Sequence, residues 1–171
     1  VDDVSFDVNE GEVSLDNPTD SYTVGSDVDI NGSASSADDV AIFARDNSNW
    51  EPLDIDGSES TTEGDGSIDE DDLISVDSDD TFEEEDVTLS QANNIYSFEG
   101  SYDIGVVDAA DLDPNGNFGD GELTTSEFAT ASSARYTINV EAGDLTANFG
   151  TINGQIASVD NQIDVEGTAA G

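Results

Sequence analysis

The sequence predicts an all-β fold, an antiparallel β-sandwich. Three observations carry that prediction. Short stretches that alternate apolar and polar residues recur along the chain, giving each one buried and one wet face. Clusters such as NPTD, NGS, DGS and DSDD separate them, built from residues that suit tight backbone geometry. Helical periodicity is weak throughout. Seven or so short strands joined by turns fit two packed antiparallel sheets.

In chain order the predicted strands are VSFDV (4–8), SDVDI (26–30), VAIFAR (40–45), ISV (74–76), DVTL (86–89), YSFEG (96–100), YDIGVV (102–107) and RYTINV (135–140). VAIFARDNSNW is the most hydrophobic stretch. It places Val40, Ile42, Phe43 and Trp50 near the core, with Tyr102, Ile104 and Val106 opposite, as packing residues and not a ligand box. Two acidic runs, SESTTEGDGSIDEDD (58–72) and EEED (83–86), look like low-complexity segments, and the first reads as a long solvated loop. In the first, Asp65, Asp69 and Asp71 are candidates for a bound ion, although no spacing rule orders them.

The charge is extreme: 42 Asp and Glu against 2 Lys and Arg, a formal net charge of −40 over 171 residues, with no His, Cys or Met. Nucleic-acid binding requires a basic footprint that this chain lacks, and attraction to an anionic membrane surface fails for the same reason. Without His or Cys there is no Ser-His-Asp triad, no thiolate nucleophile and no zinc site of the usual kind. Two carboxylates can hydrolyse a glycoside, but here no pair stands out from the rest. No apolar run approaches the ~20 residues of a membrane span. Val, Ile, Leu and Phe make up 39 of the 171 residues, just above the level of roughly 20% below which disorder is expected. The ordered alternation of those residues decides for a folded chain with a carboxylate surface. Such a surface repels itself in dilute buffer; at ~1 M salt the screening length falls to about 3 Å. The composition therefore points to a protein that works in concentrated salt.

The ends of the chain resemble each other. VSFDVNEGEVSLD (4–16) aligns with ANFGTINGQIASVD (147–160), matching Phe6 with Phe149, Gly11 with Gly154 and Val13 with Ile156. DVDINGSASS (27–36) then aligns with QIDVEGTAAG (162–171), matching Gly32 with Gly167. One repeat of about 140 residues followed by the opening strand of the next accounts for this, and implies a linear array.

One segment carries a metal pattern. In DLDPNGNFGDGE (111–122), Asp111, Asp113 and Asn115 occupy the first, third and fifth positions, Gly116 the turn, and Glu122 the twelfth. That is the spacing of an EF-hand loop: alternating side chains bring hard oxygens to one point, Asn117 adds a backbone carbonyl, and the final Glu binds through both oxygens. Asp120 sits where a water-mediated contact is common. No helix is predicted before the loop, so the expectation is an isolated Ca2+ loop between strands, with affinity in the roughly 10⁻⁴–10⁻³ M range of extracellular modules. An Asp/Asn/Gly-rich hairpin tip needs no ion to look this way. Asn31-Gly32-Ser33 is the single N-x-Ser/Thr sequon; Asn31 is expected at a strand end, on a turn, as a glycosylation acceptor. Arg45 and Arg135 are each expected to pair with carboxylates.

The ordered blocks GSASSADDVAIFARDNSNWEPLDI (32–55), ISVDSDDTFEEEDVTL (74–89), YDIGVVDAADLD (102–113), TTSEF (124–128), RYTINVEAGDLTANFGTINGQIA (135–157) and VEGTAAG (165–171) resemble the haloarchaeal S-layer, or major cell surface, glycoproteins. The resemblance implies an immunoglobulin-like β-sandwich, one repeat of a tandem array, in a structural, glycosylated, non-enzymatic coat outside the cell. It implies stabilisation by divalent cations, with neighbouring domains and further copies of the chain as partners in a lattice. The signal peptide, Thr-rich stalk and membrane anchor of such proteins are not in this sequence, which reads as an internal fragment without direct membrane insertion. The expected organisation is 1–25 as linker and opening strands, 26–143 as the sandwich, and 144–171 as connection and opening strand of the next repeat. The competing reading is a carbohydrate- or protein-binding module of a secreted halophilic protein, which would need an exposed aromatic platform. Trp50 is the candidate.

Overall fold

The computed structural model describes residues 11–55, 72–112 and 122–143, and the backbone of 145–149 and 165–169. The first strands are β1 (Val13–Asn17), β2 (Ser21–Thr23), β3 (Asp27–Ala34), β4 (Asp39–Asp46), β5 (Asn49–Pro52), β6 (Ile74–Ser75) and β7 (Thr81–Thr88). A helical turn α1 (Leu89–Ala92) and a 3-10 turn (Asn94–Ser97) lead into β8 (Gly100–Asp108). Then come α2 (Ala109–Leu112), β9 (Leu123–Thr124), α3 (Thr125–Thr130), β10 (Ser133–Glu141), β11 (Leu145–Phe149) and β12 (Val165–Ala169).

Two sheets form the body. One has the order β1-β3-β7; the other runs β2-β10-β8-β4-β5-β9, with β6 also on β4. All pairings are antiparallel except β2 with β10. The chain therefore changes sheets between β1 and β2, at the cis Asn17–Pro18 bond. The core between the sheets joins Val13, Leu15, Ile30, Phe82 and Val87 of the first to Val40, Ile42, Ile104, Val106, Ile138 and Val140 of the second. This is an all-β sandwich, as the alternation predicts.

The acidic run EEED is part of a strand. It lies inside β7, whose inward residues Phe82 and Val87 flank it. Between Val28 and Ile30 of β3, β7 carries two residues against one, and Asp86 takes a positive φ of 60° there. Such a bulge and a row of carboxylates are both devices that keep an exposed sheet edge from pairing with another chain. YSFEG is not a strand at its start: Tyr96 and Ser97 close the 3-10 turn, and β8 begins at Gly100.

The core expectation divides in two. Val40 and Ile42 face the other sheet, but Phe43 and Trp50 point to the outer side. Ile104 and Val106 are not opposite them either; they lie beside them on the neighbouring strand, with Ile42 paired to Val106 and Ala44 to Ile104. Strand β4 is apolar on both faces, so both must be covered. The outer cover is α3, whose Phe128 stacks on Trp50 with ring centroids 3.9 Å apart and planes 10° from parallel. Ala41, Phe43, Trp50, Val107 and Phe128 make a second, smaller core. Gly105 lies under this stack: a Cβ there would stand 2.6 Å from the Phe128 ring and 2.8 Å from Trp50. A capping box holds α3, with Thr124 and Glu127 each satisfying the other's backbone N–H.

Strands β1 and β2 belong to the sandwich, with Val13 and Leu15 in its core. Strands β11 and β12 pair antiparallel with each other, Ala147 opposite Gly167. Under the sequence match of Gly32 with Gly167, β12 is the counterpart of the second half of β3.

Candidate functional site

The loop with the metal pattern departs after β8 and returns at β9, both in the second sheet, and Leu112 and Leu123 at its two ends pack on the same outer cluster. Its first residue, Asp111, sits in α2, a single helical turn that directly extends β8. This corrects the expectation of a strand running straight into the loop. Its last residue, Glu122, precedes β9, which pairs Leu123 with Trp50 and Thr124 with Asn49. Each end is pinned by hydrogen bonds. Asp111 Oδ2 accepts from the Ser132 N–H at 2.7 Å, and Glu122 Oε2 accepts from Asn49 Nδ2 at 3.1 Å. Thr125 Oγ1 donates to the Ser48 carbonyl at 2.6 Å. Asp113, Asn115 and Asn117, the interior ligand candidates, lie outside the described residues, as do Asp65, Asp69 and Asp71. Among the described residues no group of three or more Asp, Glu, His or Cys side chains converges as a metal site.

The base of this loop is crowded with negative charge. Partial burial raises the carboxyl pKa of Asp108 above the ordinary carboxylate value. The Ala110 N–H, donating to Asp108 Oδ1 at 2.9 Å, works against that rise, while the nearby charges of Asp111 and Asp38 add to it. The charges of Asp111 and Asp38 thus act on Asp108 where the loop departs.

The sequon lies elsewhere and is not on a turn. Asn31 is in the middle of β3, the central strand of its sheet, paired with Asn17 on one side and Glu83 on the other. The strand continues because Gly32 is needed for packing: a Cβ there would strike the Ser14 carbonyl and come within 2.6 Å of the Phe82 ring. Asn31 itself is half-buried, on the outward row with Asp27, Asp29 and Ser33.

Of the two cations, Arg45 is paired as expected. Its guanidinium meets Asp103 at 3.2 Å and lies 5.9 Å from the Trp50 ring centroid. Thr137 donates to the other Asp103 oxygen at 2.8 Å, tying β4, β8 and β10 across the outer face. Arg135 is exposed on β10, and among the described residues it makes no ion pair. Its cross-strand neighbour on β8 is Gly105. Trp50, the candidate platform, is 1% exposed and covered by Phe128. The sequence reading missed α3 and its aromatic lid; the Thr-x-x-Glu spacing at 124–127, a helix-start signature, was the signal available.

No helix among the described residues is long and apolar enough to cross a membrane. No family model matches the chain. Curated proteins do. The chain is 47% identical over 176 residues to a cell surface glycoprotein of Haloarcula japonica and 46% identical over 176 residues to one of Halobacterium salinarum. Each match takes in 99% of this chain and 19% of the relative. A cell surface glycoprotein of Haloarcula marismortui is 48% identical over 146 residues, covering 81% of this chain and 15% of its own length. The chain thus spans about a fifth of the length of these relatives.

Proposed function

The chain is homologous, over nearly its whole length, to one segment of the haloarchaeal cell surface glycoproteins, and on that premise we propose that it is a structural domain of an S-layer coat outside the cell. The observation that carries the reading is the identity of 46–47% across 99% of the chain. The charge agrees: a surface at −40 is suited to concentrated salt. The role is scaffolding and not catalysis. The strand order supports an immunoglobulin-like sandwich: β3 and β7 lie together in one sheet, β4, β8 and β10 in the other, as strands B and E and strands C, F and G do in that fold.

In this reading the domain takes part in a lattice with neighbouring domains and copies of its own chain. Two surfaces this acidic meet only with cations between them, so divalent ions stabilise the contacts. The 111–122 loop is a static Ca2+ clip, held at its base by Asp111 and Glu122 and using Asp113, Asn115 and Asn117 as further ligands. Asn31 is a glycan acceptor on the outward row of β3.

Limited proteolysis in high salt tests the clip. Ca2+ slows cleavage within 108–124, and Asp113→Ala combined with Glu122→Ala removes that protection; equal cleavage of wild type and variant sinks it. Chelation of isolated envelopes tests the lattice role: loss of order on removal of divalent ions, restored by Ca2+, is expected, and a lattice indifferent to chelation refutes the cation bridges. A glycan mass on the peptide holding Asn31 decides the sequon. The alternative, a binding module with an aromatic platform, is disfavoured by the burial of Trp50 beneath Phe128.

A further inference from the structure

The Phe128 lid covers only part of the second sheet's outer face, over Ala41, Phe43, Trp50 and Val107. Beside it, Ser101 of β8, Arg135, Thr137 and Asn139 of β10 and Ser21 of β2 stand exposed, with Asn139 paired to Ser101 on one side and Ser21 on the other. This patch differs from the exposed rows of the first sheet, which carry Asp27 and Asp29 on β3 and Glu83 and Glu85 on β7. Here the carboxylate is Asp103, and Arg45 neutralises it. The next acid along β10 is Glu141, six residues beyond Arg135 and therefore ~20 Å away along the strand. Both cationic side chains of the chain, Arg45 and Arg135, lie on this one face.

Arg45 is engaged by Asp103, but Arg135 makes no ion pair among the described residues, and Gly105 across the strand pair has no side chain to meet it. A chain at −40 thus presents a free guanidinium on a patch with little negative charge of its own. At ~1 M salt, with a screening length of about 3 Å, such a charge attracts almost nothing from a distance. It acts in contact. A guanidinium does so best where carboxylate oxygens accept its N–H groups in pairs and water is displaced.

The same chain carries the complementary surface. Where β6 of the second sheet meets β7, the edge of the first, the lining of an open cleft of about 600 Å³ includes Leu73, Ile74, Asp77, Glu83, Glu84 and Glu85. Among the described residues none of the three Glu side chains has a hydrogen-bond or ion-pair partner. Leu73 and Ile74 offer apolar surface to an arginine stem, and the glutamates offer acceptors to its head. We propose that Arg135 of one copy seats in this cleft of a second copy, with Thr137 and Asn139 beside it at the polar rim of the contact. Surfaces this acidic need a cation between them, and here the chain supplies its own. The two surfaces are different patches, so the contact is head-to-tail: each copy gives one and receives one, and such contacts propagate as open arrays. The proposal rests on the lattice role inferred above, to which it adds the surfaces, and it does not require bound Ca2+.

Self-association of the chain in high salt, followed by sedimentation velocity over a concentration series, is the test. Arg135→Glu lowers the association constant on the order of tenfold, the loss expected when charge-assisted hydrogen bonds are removed, and leaves circular dichroism unchanged because the side chain is exposed. Arg135→Lys, which keeps the charge and loses the planar fork, falls between the two. Arg135→Glu combined with Glu84→Arg restores association, with the pair reversed. A reversal that fails to restore it overturns the cleft as the seat. Association indifferent to Arg135→Glu overturns the contact and leaves the lattice role standing. A wild-type chain that stays monomeric at every concentration also overturns the contact, while chelation of envelopes reads the lattice role separately.

Discussion

Gly105→Ala is the sharpest probe of how the outer face of the second sheet is built. The added methyl would sit 2.6 Å from two Phe128 ring carbons and 2.8 Å from Trp50 Cζ3. Ordinary carbon–carbon separation begins near 3.5 Å, so the stacked pair must retreat by about 1 Å. It cannot do so freely. The Phe128 carbonyl accepts from Ser133 Oγ at 2.6 Å, and α3 is fixed at its start by the Thr124–Glu127 capping box. Overpacking of this kind costs about 1–3 kcal/mol, while replacing Gly by Ala in a strand returns about 0.5–1 kcal/mol. The net expectation is a loss of about 1–2 kcal/mol. Urea unfolding at high salt, followed through the single Trp50, measures it and reports a red-shifted native spectrum as the stack opens. Phe128→Ala, which removes a ring only 6% exposed, is expected to cost about 3 kcal/mol. The decisive arm is the double variant. If the Gly105→Ala cost is the clash with Phe128, it shrinks by more than about 0.5 kcal/mol once that ring is gone, beyond the scatter of independent sites. Additive losses, or a neutral Gly105→Ala, would refute the reasoning.

Other expectations follow from the same contacts. Asp108→Asn stabilises the fold at neutral pH, because burial and the charges of Asp111 and Asp38 raise this carboxyl in the folded state. A raised acid binds more protons folded than unfolded, so its contribution is lost as pH rises through its folded value; the gain from Asn therefore fades below the ordinary carboxylate range, where Asp108 is protonated in both states, and denaturant midpoints across pH check this. Gly32→Ala, whose methyl would strike the Ser14 carbonyl and the Phe82 ring, costs at least the upper part of the ~1–3 kcal/mol overpacking range, and amide exchange shows β1 released first. Thr124→Ala removes the α3 cap at a cost of about 1 kcal/mol, read as a red shift of Trp50 without loss of the sandwich. Lowering salt unfolds the chain through self-repulsion, and millimolar Ca2+ moves the salt midpoint down; circular dichroism against salt concentration follows it.

The parts of the fold legible in the sequence are those that depend on local period and composition. Alternation located β3, β4, β8 and β10 to within a few residues, because a half-buried strand must alternate whatever it packs against. Composition marked EEED only as an acidic run; Phe82 and Val87 on either side are the residues that make it strand. Asn31 was misplaced on a turn because Asn-Gly suits turns; only the Phe82 ring across the sheet explains a glycine in mid-strand. Of the metal pattern, Asp111 and Glu122 are seen to pin the loop ends, and the interior ligands lie outside the described residues. Arg45 found its carboxylate, and Arg135 faces Gly105 across the sheet.

By itself, then, the sequence determined the all-β class, the charge that ties the protein to salt and the resemblance to surface glycoproteins. Each is a property of residues taken in order. Tertiary structure alone decided which faces meet. Period-two alternation says which residues share a face, but β4 is apolar on both, and nothing local tells Ile42 from Phe43. The choice is made by partners distant in the chain: Leu15, Ile30 and Phe82 on one side, and the Phe128 lid, held by its own helix cap and admitted by a bare Gly105, on the other.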